Sequence, residues 1–321
     1  MGTNSNLIRL SNSEDVDISS LSVEDLRRIH YEEECWVAEK LMTLEPFSQE
    51  RIDLLHKGYE IIRPIMHEIA CKQGNRKISL GADRSSARML VRLVNEKRKH
   101  DNVLVYEAGV GTGFSIGEVA KHCADYGGST DLGMGLSIRG CDVFLLTNAL
   151  KIAEEYPDID IDLEEGHVFE CIQRLPDDSI DVFYADNVFE HFLPDEAEQI
   201  YKEIANKLKP DAYVFLVIPN KYLGPSDISM YFNPFGSKAK GFHFMEMSYR
   251  DITNSMKEYG IYQSHFVFHI PKIGMFSVKS DILLKIKFML EPIIAKIPGR
   301  ALRNKAFSML KYSYSIMKSG K

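Results

Sequence analysis

The sequence predicts an α/β fold, a doubly wound and mostly parallel sheet, and three observations carry that prediction. From Asn102 onward, short apolar runs alternate with segments of helical periodicity, the pattern of strands joined by crossover helices. A glycine-rich turn, Glu107-Ala-Gly-Val-Gly-Thr-Gly113, separates the first of these strands from the first helix. Further on, strand-like runs at 263–270 and 275–278 are joined by a turn at Pro271–Gly274 that is too short for a crossover. One antiparallel strand is therefore expected at that end.

Taken in order, residues 1–20 are rich in Asn, Ser and Asp and read as a disordered lead. Ser22 reads as the N-cap of a helix over Val23–Met42, with Glu24 and Asp25 in its first turn. A second helix follows Ser48 and runs to Ile69, with Pro64 expected to kink or split it. A third carries Ala87, Leu90, Leu93 and Val94 and ends in the charged run 96–99, so residues 21–100 form an expected N-terminal helical cap. Strands are expected at 103–106, 136–143, 159–163, 180–184 and 212–218, and helices at 115–122, 145–156, 196–208 and 249–259. These place the central domain at 101–279. Residues 280–321 read as two amphipathic helices, 282–290 and 301–317, separated by Pro292 and Pro298. Leu302, Ala306, Met309 or Leu310, Ser313 or Tyr314, and Met317 form the second stripe.

The 321 residues are 45% hydrophobic, enough for a full core, and the net charge of −7 argues against the whole chain coating nucleic acid. The charge is uneven. After residue 278 ten Lys or Arg face only Asp281 and Glu291, an excess of +8, so residues 1–278 must hold −15. Such a basic amphipathic tail suits either peripheral contact with an anionic membrane or docking on the chain's own acidic body. Five scattered cysteines without a CxxC pair suggest reduced thiols in a cytoplasmic protein, with no disulfide framework or zinc knuckle. No apolar run approaches the ~18 residues of a membrane span, and no signal peptide is expected. The near-match to a myristoylation site fails at Asn6.

The turn is GxGxG with an acid two residues ahead. A dinucleotide fingerprint would place its third glycine where Phe114 stands, which speaks against a dehydrogenase. With its neighbours the turn resembles the class I S-adenosylmethionine (SAM)-dependent methyltransferases, specifically the methyltransferase-11-like group. The resemblance runs from Val103 to Val278 on "VLVYEAGVGTGFSIGEVAK", "IRGCDV", "LPDDSIDVFYADNVFEHF", "LKPDAYVFLVIPN" and "GFHFMEMSYRDI". It implies a Rossmann-like seven-stranded sheet whose last two strands form an antiparallel hairpin, and SAM as cofactor. It also implies that Glu107, Gly109, Gly111 and Gly113 line the methionine half and that Asp142 accepts the ribose hydroxyls. Where the family has Gly-Asp after the third strand this chain has Gly166-His167, so the adenine contact falls to His167 or the backbone of Val168. Asn187 is counted with the cofactor contacts. The stretch 125–135 is expected to be an extra loop.

Methyl transfer to a hydroxyl needs alignment and a base. The segment after the fourth strand of the central domain offers Asp186, Asn187, Glu190 and His191, and a later loop offers His243; Asp186, His191 and His243 are the catalytic candidates. Related metal-dependent families use Glu-x-x-Glu-His. Here Asn187 stands at the first position and removes one anionic ligand, so no metal is expected. The aromatic-rich segment 222–249, with Tyr31 and Trp36, reads as a lid over the acceptor. Its wording resembles bacterial methyltransferases of polysaccharide and glycolipid clusters. The expected acceptor is a hydroxyl of a small molecule, a glycan or a lipid-linked molecule. The alternatives are a metal-assisted RNA methyltransferase, disfavoured by the acidic body, and a catalytically silent SAM-binding partner subunit.

Overall fold

Two apolar anchors order the stretch that composition alone assigns to a disordered lead. In the computed structural model, which describes residues 7–74, 84–98, 102–126, 135–144, 147–270, 272–299, 301–303 and 312–321, β1 (Leu7–Arg9) pairs antiparallel with β2 (Asp15–Asp17). Leu10 and Ile18 are buried against Leu26 of α1 (Val23–Leu41) and Ile61 and Ile65 of α2 (Gln49–Lys72). The Ser11 amide donates to the Glu33 carboxylate. The polar residues between the anchors are thus turn residues rather than signs of disorder.

The described chain divides into two compact units. The first gathers residues 1–79, 191–196 and 224–246. Ser22 and Ser48 cap α1 and α2 as expected, each accepting from the backbone amide three residues on. Pro64 does not split α2, which continues for two more turns with Ile61, Ile62 and Ile65 packed beneath it. Buried Arg51 fastens the 191–196 segment, its guanidinium lying 2.9 Å from Asp195 and 3.0 Å from Glu196. Phe242 packs among Val37, Leu41, Ile62 and Leu193. Gly58 makes room for it, since a Cβ there would lie 2.9 Å from the ring. Tyr31 stacks on Phe232 at 4.7 Å and donates to Asn233. Residues 224–246 of the segment read as a lid therefore fold with α1 and α2, although Trp36 is 40% exposed.

The second unit holds residues 80–190, 197–223 and 247–321. It begins with α3 (Arg84–Lys97), which the sequence reading counted in the cap. Met89, Leu90, Leu93 and Val94 instead pack with Val103, Ile116 and Val119 of the sheet unit. The parallel strands are β3 (Val103–Ala108), β4 (Leu136–Asp142), β5 (Asp160–Glu165), β6 (Ile180–Asp186) and β7 (Leu208–Pro219), in the order β5-β4-β3-β6-β7. Their crossovers contain α4 (Phe114–Tyr126), α5 (Thr147–Glu155), α6 (Val168–Gln173) and α7 (Pro194–Lys207). Most of the expected extra loop at 125–135 lies outside the described residues.

Beyond α8 (Tyr249–Lys257) the expected hairpin forms between β8 (Ile261–Ile270) and β9 (Gly274–Val278). It does not close onto β7. After α9 (Asp281–Ile294), a strand β10 (Tyr312–Ser319) inserts between β7 and β8, antiparallel to both, and completes an eight-stranded order β5-β4-β3-β6-β7-β10-β8-β9. The expectation of a helix over 301–317 is thus overturned at its end, and residues 304–311 lie outside the described residues. The physical reason is that β10 is a central strand covered on both faces, so Ser313, Tyr314, Ser315, Ile316 and Met317 are all buried and no two-residue alternation shows. Residues three apart, such as Tyr314 and Met317, then read as a helical stripe.

Ile316 is fully buried where β10 pairs with Phe215 of β7 and His265 of β8. Ile316→Ala should therefore cost ~2–4 kcal/mol in urea denaturation. A solvent-exposed terminal helix would lose almost nothing.

Candidate active site

Parallel strands end together, so the carboxyl ends of β4, β3 and β6 form one rim, and each brings an acid to it. Ala108 pairs with Cys141 on one side and Ala185 on the other, and the next residues of those neighbours are Asp142 and Asp186. Glu107 precedes Ala108 and is buried. Burial pushes its carboxyl well above the usual carboxylate range, and the charges of Asp186 and Asp142 push it further. One of its oxygens, Oε2, is buried without a hydrogen-bond partner.

The glycine turn follows from close approach. Gly109 has φ +73° and Gly113 φ +78°, both in the left-handed region. A Cβ on Gly109 would collide with Val188, and one on Gly113 would lie 2.9 Å from the Ala149 backbone of α5. Gly113, expected to line the cofactor, thus also seats one helix against another. Gly111 donates its amide to Asp142 Oδ2 at 2.8 Å, and Asp142 Oδ1 accepts from the Phe144 amide at 3.0 Å. Asp186 accepts from the Tyr184 hydroxyl and from Asn187, whose own backbone is left-handed at φ +57°. His167 caps α6: its Nδ1 accepts from the Phe169 amide, and Val168 is the first residue of that helix.

The two candidate histidines lie in the first unit and meet there, with ring centroids 4.9 Å apart at 81°. His191 Nδ1 donates to the Phe242 carbonyl at 2.9 Å, which leaves the lone pair on Nε2. Burial and the neighbouring His243 ring pull the His191 imidazole from 6.5 down to about 3. His243 Nδ1 donates to Glu246 Oε1 at 3.1 Å. Glu246 is held in turn by the Ser226 amide at 2.6 Å.

The sequence reading missed Glu246, and the signal was a carboxylate three residues after a loop histidine. It also missed Glu34 and Asp227, which accept from the amides of Phe242 and Gly241 and fix the backbone just ahead of His243. Gly140 escaped notice as well, although a Cβ there would lie 2.8 Å from the Glu107 carbonyl.

This fold, with a glycine turn and acids at its strand ends, has known relatives. Among solved structures, the Burkholderia thailandensis 1,6-didemethyltoxoflavin-N1-methyltransferase, crystallised with 1,6-didemethyltoxoflavin and S-adenosylhomocysteine, is 12% identical with a TM-score of 0.50. The match covers 87% of this chain and 94% of that one. A SAM-dependent methyltransferase from Archaeoglobus fulgidus is 15% identical, with a TM-score of 0.40 over 72% of this chain and 93% of that one. Haemonchus contortus phosphoethanolamine N-methyltransferase 2, in complex with SAM, is 15% identical, with a TM-score of 0.42 over 72% of this chain and 51% of that one. No curated protein matches the sequence. The fold is that of the class I SAM-dependent methyltransferases. Residues 106–216, which include the glycine turn and all three acids, match the family model for the methyltransferase domain. That match spans about a third of the chain, and it makes this stretch similar to a methyltransferase domain.

The His191 environment has a measurable consequence. The unfolded chain takes up a proton at this ring near 6.5, the folded chain only near 3, so this group's contribution to stability falls as pH drops between those values. The full loss is about 4–5 kcal/mol at 1.36 kcal/mol per unit. Histidine NMR at about pH 5 should find His191 neutral with its proton on Nδ1; titration near its ordinary value would refute the geometry.

Proposed function

We propose that the chain methylates a hydroxyl oxygen of a small-molecule, glycan or lipid-linked acceptor, with His243 as the base. The observation that carries this reading is the His243–Glu246 pair. A carboxylate accepting from Nδ1–H fixes the imidazole's tautomer and orientation, the arrangement in which Nε2 acts as proton acceptor. A hydroxyl must shed its proton as its oxygen gains a methyl group, whereas a free amine attacks with its own lone pair. His191 suits the part of acceptor-orienting hydrogen-bond acceptor better than that of base, because its proton affinity is depressed.

The strand-end acids fit the cofactor. SAM supplies a sulfonium-bound methyl group to an in-line nucleophile, and it carries an ammonium group besides. Glu107, with one buried oxygen lacking a partner, would hold the ammonium end and ionise against it. Asp142, held by the Gly111 and Phe144 amides at the carboxyl end of β4, would accept the ribose hydroxyls. Asp186, first considered as a catalytic residue, becomes part of this acidic rim, with Asn187 beside it. His167 caps α6 where the related sequences carry an aspartate for adenine, and with the Val168 amide, a helix-terminal donor beside it, it would meet the adenine edge.

Calorimetry tests the cofactor contacts. Asp142→Ala and Glu107→Gln should each weaken SAM binding by ~1.5–3 kcal/mol. Because Glu107 must lose a proton on binding, wild-type affinity should rise as pH climbs above the ordinary carboxylate range, and the Gln variant should lose that slope. Unchanged affinity in both variants sinks the assignment.

The acceptor test uses SAM labelled in its methyl group and extract of the native host lacking the gene. The product should gain the mass of one CH2 on oxygen. His243→Ala should keep SAM affinity and lose ~10²–10⁴-fold in label transfer. Full activity in that variant removes the base. A chelator arm tests the metal-assisted alternative: activity lost in EDTA and restored by Mg2+ would favour it over a histidine base.

A further inference from the structure

Helix α9 is amphipathic in the reverse of the usual sense. At roughly 100° per residue, Leu284, Lys287 and Glu291 share one face, and that face is buried. Lys287 Nζ donates to the Val267 carbonyl at 3.0 Å and lies 3.4 Å from the centroid of the Tyr249 ring. Glu291 accepts from Asn220 at 2.9 Å and from the Tyr249 amide at 2.9 Å. These bonds pin the rotation of the helix, because turning it would strand two buried charged side chains without partners. The opposite face is therefore held outward, and it is aliphatic: Ile282, Ile286, Met289, Leu290 and Ile293 are 42–73% exposed. Leu302, past the end of the helix, is 57% exposed.

Lysines border this stripe. Lys279 just before the helix, Lys285 on it and Lys296 just after it are all exposed, and the exposed acid on the helix, Asp281, stands in the first turn, where it offsets the helix's own partial charge. Protein–protein interfaces favour aromatic residues and shed lysine, whereas this face is aliphatic and lysine-bordered. Among the described residues no helix is long and apolar enough to cross a membrane.

We propose that α9 lies flat on an anionic lipid bilayer, with Ile282, Ile286, Met289, Leu290 and Ile293 at the acyl boundary and Lys279, Lys285 and Lys296 against the headgroups. The aliphatic stripe supplies the partitioning and the lysines supply the preference for anionic lipid. The surface is independent of the methyl-transfer reading and would hold for any acceptor. It differs from the stripe expected in 301–317, whose Tyr314 and Met317 belong to the core.

The test is vesicle flotation of the full chain, with phosphatidylcholine alone and with phosphatidylcholine mixed with phosphatidylglycerol. Wild type should float with the mixed vesicles only, and less as salt rises past the ~0.1 M at which screening reaches about 10 Å. Met289→Glu combined with Ile293→Glu should cut flotation about tenfold or more. Both positions are exposed, so circular dichroism and the melting temperature of this variant should match wild type. No flotation with either vesicle, or equal flotation of wild type and variant, overturns the proposal. So does a wild-type dimer in light scattering that the variant splits without any vesicle binding, which would make the face a contact between copies.

Discussion

The sheet of the second unit depends on one strand that arrives last. β7 and β8 run in the same direction and neither bonds to the other; β10 alone carries the hydrogen-bond ladder between them. Without it, a full edge of the long strand β7 would leave its amides and carbonyls unpaired in the core, at a cost no side-chain packing could offset. The same strand reaches the end of β7 chemically as well. Ser313 takes a hydrogen bond from Asn220 and gives one to the Met247 carbonyl, while Asn220 also donates to Glu291 of α9. Strand pairing, the start of α8 and the seating of α9 are thus parts of one buried polar network.

Against that satisfied network, the strand-end acids are a local conflict. Glu107, Asp142 and Asp186 crowd three carboxylates onto adjacent strands, and burial leaves Glu107 holding a proton well beyond the range where carboxyls ordinarily lose it. Nothing in folding alone calls for this arrangement, since a Gln in place of Glu107 would relieve the repulsion. Positions where local preference is overruled in this way tend to be functional.

Much of this was legible in the sequence because it is encoded locally. The central parallel strands β3, β6 and β7 carry near-continuous apolar runs, the glycine turn has its own spacing, and the Ser22 and Ser48 caps announce their helices. What was not legible depends on partners far along the chain. Leu10 and Ile18 look isolated in a polar stretch until Leu26 and Ile65 are set beside them. The helix α3 has the same periodicity whether it packs on α2 or on the sheet. β10 was misread because it is buried on both faces, so its sequence lacks the alternation of a half-exposed strand and residues three apart imitate a helical stripe. Glu246 was missed because its worth lies in a hydrogen bond to His243, and three-residue spacing in a loop predicts no contact.

The C-terminal charge shows the same limit more sharply. A count of lysines and arginines treats the tail as one basic body, yet the fold spends several of them internally. Lys318 pairs with Asp211, Lys321 pairs with Asp178, Arg303 donates to the Ile297 and Tyr222 carbonyls, and Lys287 is buried. Periodicity likewise finds two faces on α9 but cannot say which one turns inward. By hydrophobicity alone the aliphatic face should be buried. It is overruled because Glu291 meets three donors, the side chain of Asn220 and the amides of Tyr249 and Arg250, and Lys287 meets a carbonyl and an aromatic ring. A hydrophobic face left in water costs roughly 25 cal/mol for each Å2 that burial would have removed. Two buried ionisable side chains can hold a helix against that cost only if each finds partners, and here Lys287 and Glu291 both do. The outward face of α9 is thus fixed by polar chemistry on its inward side.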